Sequence, residues 1–431
     1  MTSITDWLDY TPRGTGVRTR GYRVQVSPNS GSSAAPSDII RLDIPCGRGR
    51  GSFIDPSQTY LTFQLKSTDA AAMTLDGSGY SLLNRYTLYS SGQVLEDVAD
   101  YGHAVSTYLD LQCLGVDLGN GGSVMLGTNY AATNNIDKTG AGLAIGAVVA
   151  QNVDVCLPLH LSGLLGTSCP KLLPVGVLQD LRAEFVVETA PQGVVCASAA
   201  PAWTLQNIVL NLFYVDVDAQ VADQIYGQNN GTYRISTEGF RTYQSVQPAN
   251  RSADSILIPA RFSSLKSLIT TYRDSAQRNT STANWVAHRV NPFYDSANGN
   301  GRKCSIQYQI GSLLFPNQPI SFAASEMYAN MLQSFHSMGN IAMNNRATLT
   351  NWVQAAHNTT ATGMGAGAIA VNTENLCYKS KSFTTGTNTL TSPVVLNASW
   401  PVASALSHAI TTIAHMDVIA EISETGVAMR Y

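Results

Sequence analysis

Apolar and polar residues alternate along short stretches of this chain, and the stretches are separated by clusters of Gly, Pro, Asn and Ser. In Tyr60-Leu-Thr-Phe-Gln-Leu65 every second side chain is apolar, the period of a strand with one buried face. The same pattern, with enrichment in Val, Ile, Tyr, Phe, Thr and Leu, predicts strands at Ile39–Ile44, Tyr60–Lys66, Tyr86–Ser90, Val153–His160, Leu181–Glu188 and Leu205–Val217. One longer segment, Glu96 to Leu111, changes period. Its Val98, Tyr101, Val105, Tyr108 and Leu111 fall on one side of a helix.

A polar, helical connector is predicted from Ala219 to Asn229, and a second cycle follows it. Strands are predicted at Tyr233–Ser236, Asp254–Pro259, Leu268–Arg273, Ser305–Ile310, Val394–Ser399 and Met416–Ile422. A helix again interrupts them, Ala323 to Met338, with Met327, Met331, Leu332 and Phe335 as its apolar side. Before it, Phe315-Pro-Asn-Gln-Pro319 is expected to stop any strand. Each half therefore reads as strands, one inserted helix, then strands. Two copies of roughly 215 residues fit two antiparallel β-sandwiches of jelly-roll size. The crossover helices of a parallel α/β sheet are missing from the pattern. Loops at Gly119–Tyr130, Asn291–Lys303 and Thr359–Val371 are long and rich in Gly, Asn and Ala, the places where a sandwich usually carries its surface contacts.

Composition sharpens this picture in one respect. Charged residues make up 13% of the chain, about half the usual share. Contact zones buried between proteins are depleted of charge, so a chain that buries much of its outside in an assembly has this composition. The net charge of −3 shows no basic excess of the kind that marks a general nucleic-acid binder. Locally the balance differs: Arg13, Arg18, Arg20 and Arg23 lie together without an acid, and Arg41, Arg48 and Arg50 follow. A basic arm can meet phosphates or anchor to a neighbouring subunit. The seven cysteines form no C-x-x-C pair, which argues against a disulfide framework or zinc site and for buried free thiols made in a reducing compartment. Met1–Tyr10 lacks the basic and apolar regions of a signal peptide. The five N-x-S/T sequons, at Asn230, Asn250, Asn279, Asn358 and Asn397, are accordingly expected to be unglycosylated.

Motifs for chemistry are weak. Gly363-Met-Gly-Ala-Gly-Ala368 lacks G-x-G-x-x-G spacing, and no Walker A sequence is present. Ser263-Ser-Leu-Lys266 and Lys138-Thr-Gly140 match two acyltransferase patterns in the wrong order. The seven histidines form no H-E-x-x-H, and His103 reads as a satisfied structural residue. The acid pairs Glu96/Asp97 and Asp216/Asp218 would serve a glycosidase only if both carboxylates faced one cleft. No catalytic residue, cofactor or metal ligand is predicted.

Several stretches resemble the double jelly-roll major capsid proteins of tailless icosahedral DNA viruses, the adenovirus, virophage and polinton-like group. They are Ile54-Asp-Pro-Ser-Gln-Thr-Tyr60 running into the strand that ends at Lys66, Leu157-Pro-Leu-His-Leu-Ser-Gly-Leu-Leu165, the "leucine–proline" step from Leu172 to Arg182, Phe315-Pro-Asn-Gln-Pro-Ile320, and the closing segment Met416 to Tyr431. The resemblance implies two tandem eight-stranded antiparallel jelly rolls with short inserted helices. It divides the chain into an arm (1–22), a first jelly roll (23–218), a connector (219–230) and a second jelly roll (231–431). It also implies a homotrimer, a pseudo-hexameric capsomer that tiles an icosahedral shell around a DNA genome. The partners are then neighbouring capsomers, penton and minor capsid proteins, with weak genome or membrane contact on the inner face. The location is the virion, after synthesis in the host cytosol. Arg13, Arg18, Arg20 and Arg23 are the candidate interior or neighbour-contact residues. Two other classes compete: a minor or vertex capsid protein, and a carbohydrate-binding β-sandwich. The second needs exposed aromatic platforms, and Trp7, Trp203, Trp285, Trp352 and Trp400 do not cluster along the chain.

Overall fold

A computed structural model of the protein describes residues 18–69, 71, 73–113, 121–127, 152–281, 285–287, 289–293, 303–322, 324–335, 352, 367–374, 385–404 and 406–431. The first half contains β1 (Thr19–Val26), β2 (Ile39–Ile44), β3 (Ser52–Ser67), β4 (Met73–Leu75), β5 (Leu83–Ser90), β6 (Gln93–Ala99), helix α1 (Tyr101–Gln112), β7 (Asn152–Pro158), β8 (Leu181–Val187), β9 (Val194–Cys196) and β10 (Trp203–Val217). Helix α2 (Ala219–Gln228) leads to the second half. That half contains β11 (Tyr233–Gln247), β12 (Arg251–Ile258), β13 (Leu265–Asp274), β14 (Lys303–Ile310), β15 (Leu313–Phe322), α3 (Ser325–Ser334), β16 (Ile369–Asn372), β17 (Val394–Ser404), β18 (His408–Ser423) and β19 (Gly426–Arg430).

Each half builds two four-stranded antiparallel sheets, and the two halves repeat one topology. The orders β1-β10-β3-β7 and β2-β8-β5-β6 in the first half answer to β11-β18-β13-β16 and β12-β17-β14-β15 in the second. The pair β4–β9 and the hairpin strand β19 on β18 are additions. Alternation sets which side chains enter the cores. Leu61, Phe63 and Leu65 of β3 are buried, with Thr62, Gln64 and Lys66 on the other face. Phe185 and Tyr86 pack near each other in the first core, and the Tyr308 hydroxyl donates to Thr270 across the second.

The sequence pattern and the fold part company in three places. The segment Glu96–Leu111 is not one helix. Its first residues belong to β6, paired with β5, and the helix starts at Tyr101. Asp100, at φ 51, turns the chain between them. Pairing with β5 satisfies the backbone of 93–99, which outweighs a helical spacing of apolar residues. Next, Phe315-Pro-Asn-Gln-Pro319 does not stop a strand. β15 runs through both prolines, because it is the edge of its sheet and its outer side needs no N–H donor. Finally, β1 starts at Thr19, so this strand takes in the last residues of the stretch read as an arm; residues 1–17 lie outside the described residues. The second inserted helix is shorter than its pattern, ending at Ser334, and 336–338 lie outside the described residues.

Candidate functional site: the joint between the two halves

Helix α1 follows β6 midway through the first half's strands, and its polar side chains meet β13 and β18 of the second half. It brings polar groups with it. Asp100 faces Arg273 of β13, which it meets through both guanidinium nitrogens, and Thr411 of β18 donates to the same carboxylate at 2.9 Å. Burial alone would raise the Asp100 carboxyl, but the Arg273 guanidinium outweighs it and holds the group below the usual carboxylate range. One turn along, His103 is fully buried. Its Nδ1 lies 2.6 Å from the Val286 carbonyl, which can only accept, and its Nε2 lies 2.7 Å from the Thr271 hydroxyl. Burial first, then the Arg273 charge, lowers this imidazole from 6.5 to about 3, so it stays neutral. Asp110, two turns on, is ion-paired to Arg289, and both side chains are completely buried. Arg289 also reaches the Thr107 hydroxyl at 3.3 Å.

Beside α1, strand β6 and the loop after β7 complete the seam. Glu96 is buried and accepts from Ser162 Oγ (2.6 Å) and from the backbone N–H groups of Gly163 (2.8 Å) and Leu164 (2.9 Å). Burial pushes its carboxyl up, against the pull of these donors. Gly163 in turn accepts from Thr237 Oγ1 of β11 at 2.6 Å. A Cβ on Gly163 would stand 2.2 Å from the Glu238 carbonyl oxygen, so only glycine permits this approach. Asp76 accepts from the N–H groups of Trp285 and Val286, both at 2.6 Å. The last residue, Tyr431, donates its hydroxyl to the Leu95 carbonyl of β6. On the outside, Arg50 reaches across to Glu424 and stacks over Tyr226 of α2.

A cavity of about 450 Å³ opens at this seam, walled by Tyr108, Phe240 and Phe335 among others. On its polar side Glu238 meets Lys266 Nζ at 2.7 Å and His415 Nε2 at 3.2 Å. Burial opposes ionisation of Glu238, but His415 and Lys266 hold it well below the carboxylate range. Glu374 and Asp417 also approach Lys266 Nζ, each at 3.8 Å, and among the described residues no group of His, Cys, Asp and Glu is arranged to hold a metal ion.

The residues singled out in the sequence fall as follows. Arg20 and Arg23 lie on β1, Arg18 just before it; all three are exposed, and Arg13 lies outside the described residues. Arg20 stacks over Tyr22 and Arg23 donates to the Tyr60 hydroxyl at 3.1 Å. Glu96 and Asp97 sit on opposite faces of β6. Glu96 enters the seam while Asp97 pairs with Arg85 outside, so the two share no cleft. Asp218 caps α2 through the Gln220 N–H at 3.0 Å. Lys266 of the S-x-x-K match belongs to the ion cluster, and Lys138-Thr-Gly140 lies outside the described residues. Trp203, Trp285, Trp352 and Trp400 are all buried, so none of the four forms a sugar-stacking platform. Cys46, Cys113, Cys156, Cys169, Cys196 and Cys304 are free thiols, and Cys377 lies outside the described residues. Sequence reading missed Asp76, Arg273 and Arg289. Its one signal was that charges are scarce, so any charge inside a predicted strand, such as Arg273, is a candidate for pairing.

Two sandwiches of one topology, fused in one chain and sealed by a polar seam, define a double jelly roll. No protein-family model and no curated protein sequence matches the chain. Solved structures do. VP54 of the virus PBCV-1, fitted into a reconstruction of the virophage Sputnik, superposes with a TM-score of 0.65 at 12% identity, over 98% of this chain and 99% of its own. The Faustovirus major capsid protein superposes at 0.58 with 11% identity, over 97% and 92%. The mavirus major capsid protein does so at 0.52 with 10% identity, over 100% and 94%. The chain has the double jelly-roll fold of these viral major capsid proteins.

Proposed function

We propose that this chain is the major capsid protein of an icosahedral DNA virus, a structural subunit with no catalytic role. The observation that carries the reading is the doubled sandwich itself, which aligns over nearly the whole length of proteins that build viral shells. Two fused, non-identical sandwiches give one chain two different sides. Three chains then offer six sandwiches, a block suited to hexagonal tiling through heterologous contacts. The low charge of 13% fits a protein that buries much of its outside.

On this reading the chain divides into an arm (1–22), two jelly rolls (23–218 and 231–431) and the connector between them. The arm, with Arg13 and Arg18, and the start of β1 that adjoins it, with Arg20 and Arg23, contact a neighbouring capsomer or the inner contents of the shell. Its partners are copies of itself, then penton and minor capsid proteins, and its location is the virion after synthesis in the host cytosol. The test is the solution mass of the purified protein by light scattering after size exclusion, followed by electron microscopy. A species of three chains that forms flat or closed hexagonal arrays is expected. A stable monomer at every concentration overturns the reading, and a pentamer transfers it to a vertex protein.

A further inference from the structure

We propose that the cavity at the seam binds an organic ammonium ion, a cationic amine carrying an apolar body. The site lies within a single chain, so it goes beyond the capsid reading and does not require it.

The cavity forms where three elements meet. Tyr108 comes from α1 of the first half, Phe240 from β11 of the second, and Phe335 from the end of α3. All three rings are half-buried and line the same space. The Tyr108 ring meets Phe240 edge to face, with 5.5 Å between centroids and 83° between planes. It meets Phe335 in the same way, at 5.4 Å and 80°. Rings set at right angles around one space turn their negative π-faces in different directions, as in the aromatic cages that hold alkylammonium groups. The volume of about 450 Å³ suits a small molecule, for which sites span roughly 300–1,000 Å³.

The polar wall supplies the matching charge. Glu238 lines the cavity with 40% of its side chain exposed. Three carboxylates surround Lys266 Nζ: Glu238 at 2.7 Å, and Glu374 and Asp417 at 3.8 Å each. The cations among them are Lys266 and His415, so even with both charged the cluster is one negative charge in excess, three against two. His160, also on the lining, adds no positive charge, because burial lowers its imidazole below the ordinary value. In a partly desolvated space this excess favours a cation over a carboxylate or a phosphate. One polar atom is also left over. The Tyr108 hydroxyl is buried, feels the Glu238 charge and has no hydrogen-bond partner. A buried hydroxyl without a partner is destabilising, and an N–H or O–H group on the bound ion would satisfy it. A bare metal ion is the wrong occupant, since aromatic walls offer it no oxygen ligands.

The test is calorimetric titration of the full chain with three probes. Choline carries the charge; 3,3-dimethylbutan-1-ol has the same shape without it; hexanoate carries the opposite charge. Choline is expected to bind saturably, one per chain, with the alcohol about tenfold weaker and hexanoate weaker still. Glu238→Gln keeps the size of the side chain and removes its charge, and Phe335→Leu removes one aromatic wall. Each is expected to weaken choline about tenfold. A circular dichroism spectrum like that of the unaltered chain checks folding, and either variant that passes suffices. Glu424→Gln, at a carboxylate paired with Arg50 outside the cavity, is expected to leave choline binding unchanged. Absence of saturable choline binding overturns the proposal. Equal binding of the alcohol makes the site a merely apolar hollow, and tighter binding of hexanoate gives the wall to Lys266 and His415; both overturn the assignment of a cation. Unchanged affinity in the folded cavity variants puts the binding elsewhere and overturns the site.

Discussion

Arg289 and Asp110 are the residues on which the joint is most exposed to damage. Both are completely buried and they face each other across the seam. Removing one partner leaves a buried charge without its counter-charge, a loss of about 3–5 kcal/mol. Asp110→Asn is therefore expected to lower the urea midpoint strongly, whereas Asp110→Leu with Arg289→Met is expected to recover much of the loss. Equal effects of the single and double substitutions would sink the idea that the pair, rather than packing, sets the cost. His103 makes a different prediction. Its ordinary value is 6.5 and the folded protein lowers it to about 3. Between these values the unfolded chain binds a proton that the folded chain refuses. The group's contribution is thus present above pH 6.5 and lost as pH falls, by about 1.4 kcal/mol per unit. His103→Gln, which retains one donor and one acceptor, is expected to flatten the decline of stability between pH 6 and pH 4, read from denaturation midpoints at each pH.

Elements were legible where pattern and environment agree. The alternation of Ile39–Ile44 matches the observed β2, and the connector predicted from Ala219 begins where α2 begins. Long strands were seen only in part. β11 runs to Gln247 rather than Ser236, because its far half borders the cavity and the joint and is neither clearly buried nor clearly exposed. β6 was read as helix because the deciding factor, pairing with β5, is not local. At the same scale, the Asp218 side chain closes the first turn of α2 by accepting from Gln220. Asp218→Ala is expected to cost about 0.5–2 kcal/mol, and Asp218→Asn much less, as measured by thermal unfolding. Equal losses for the two would point to the charge instead of the hydrogen bond.

For the whole molecule, the buried seam has a consequence for cooperativity. Two sandwiches with independent cores would be free to unfold separately. Here Asp100–Arg273, Asp110–Arg289 and Glu96 with Gly163 and Thr237 leave buried polar groups stranded if either half opens alone. A single calorimetric transition is expected for the intact chain, coincident by tryptophan fluorescence and far-ultraviolet circular dichroism. Two resolved transitions would mean that the seam is too weak to couple the halves.

The sequence by itself determined that the chain is all-β, that it runs through two similar cycles each broken by a helix, and that it is poor in charge. These are local properties: residue alternation, turn residues and composition are written along the chain. Only the tertiary structure decided how the cycles meet. Asp76, Asp100, Asp110, Arg273 and Arg289 are ordinary charged residues in the sequence, and their partners are distant along it. Their pairing depends on α1 lying across a sheet from the other half, an arrangement set by non-local packing that no window of residues contains.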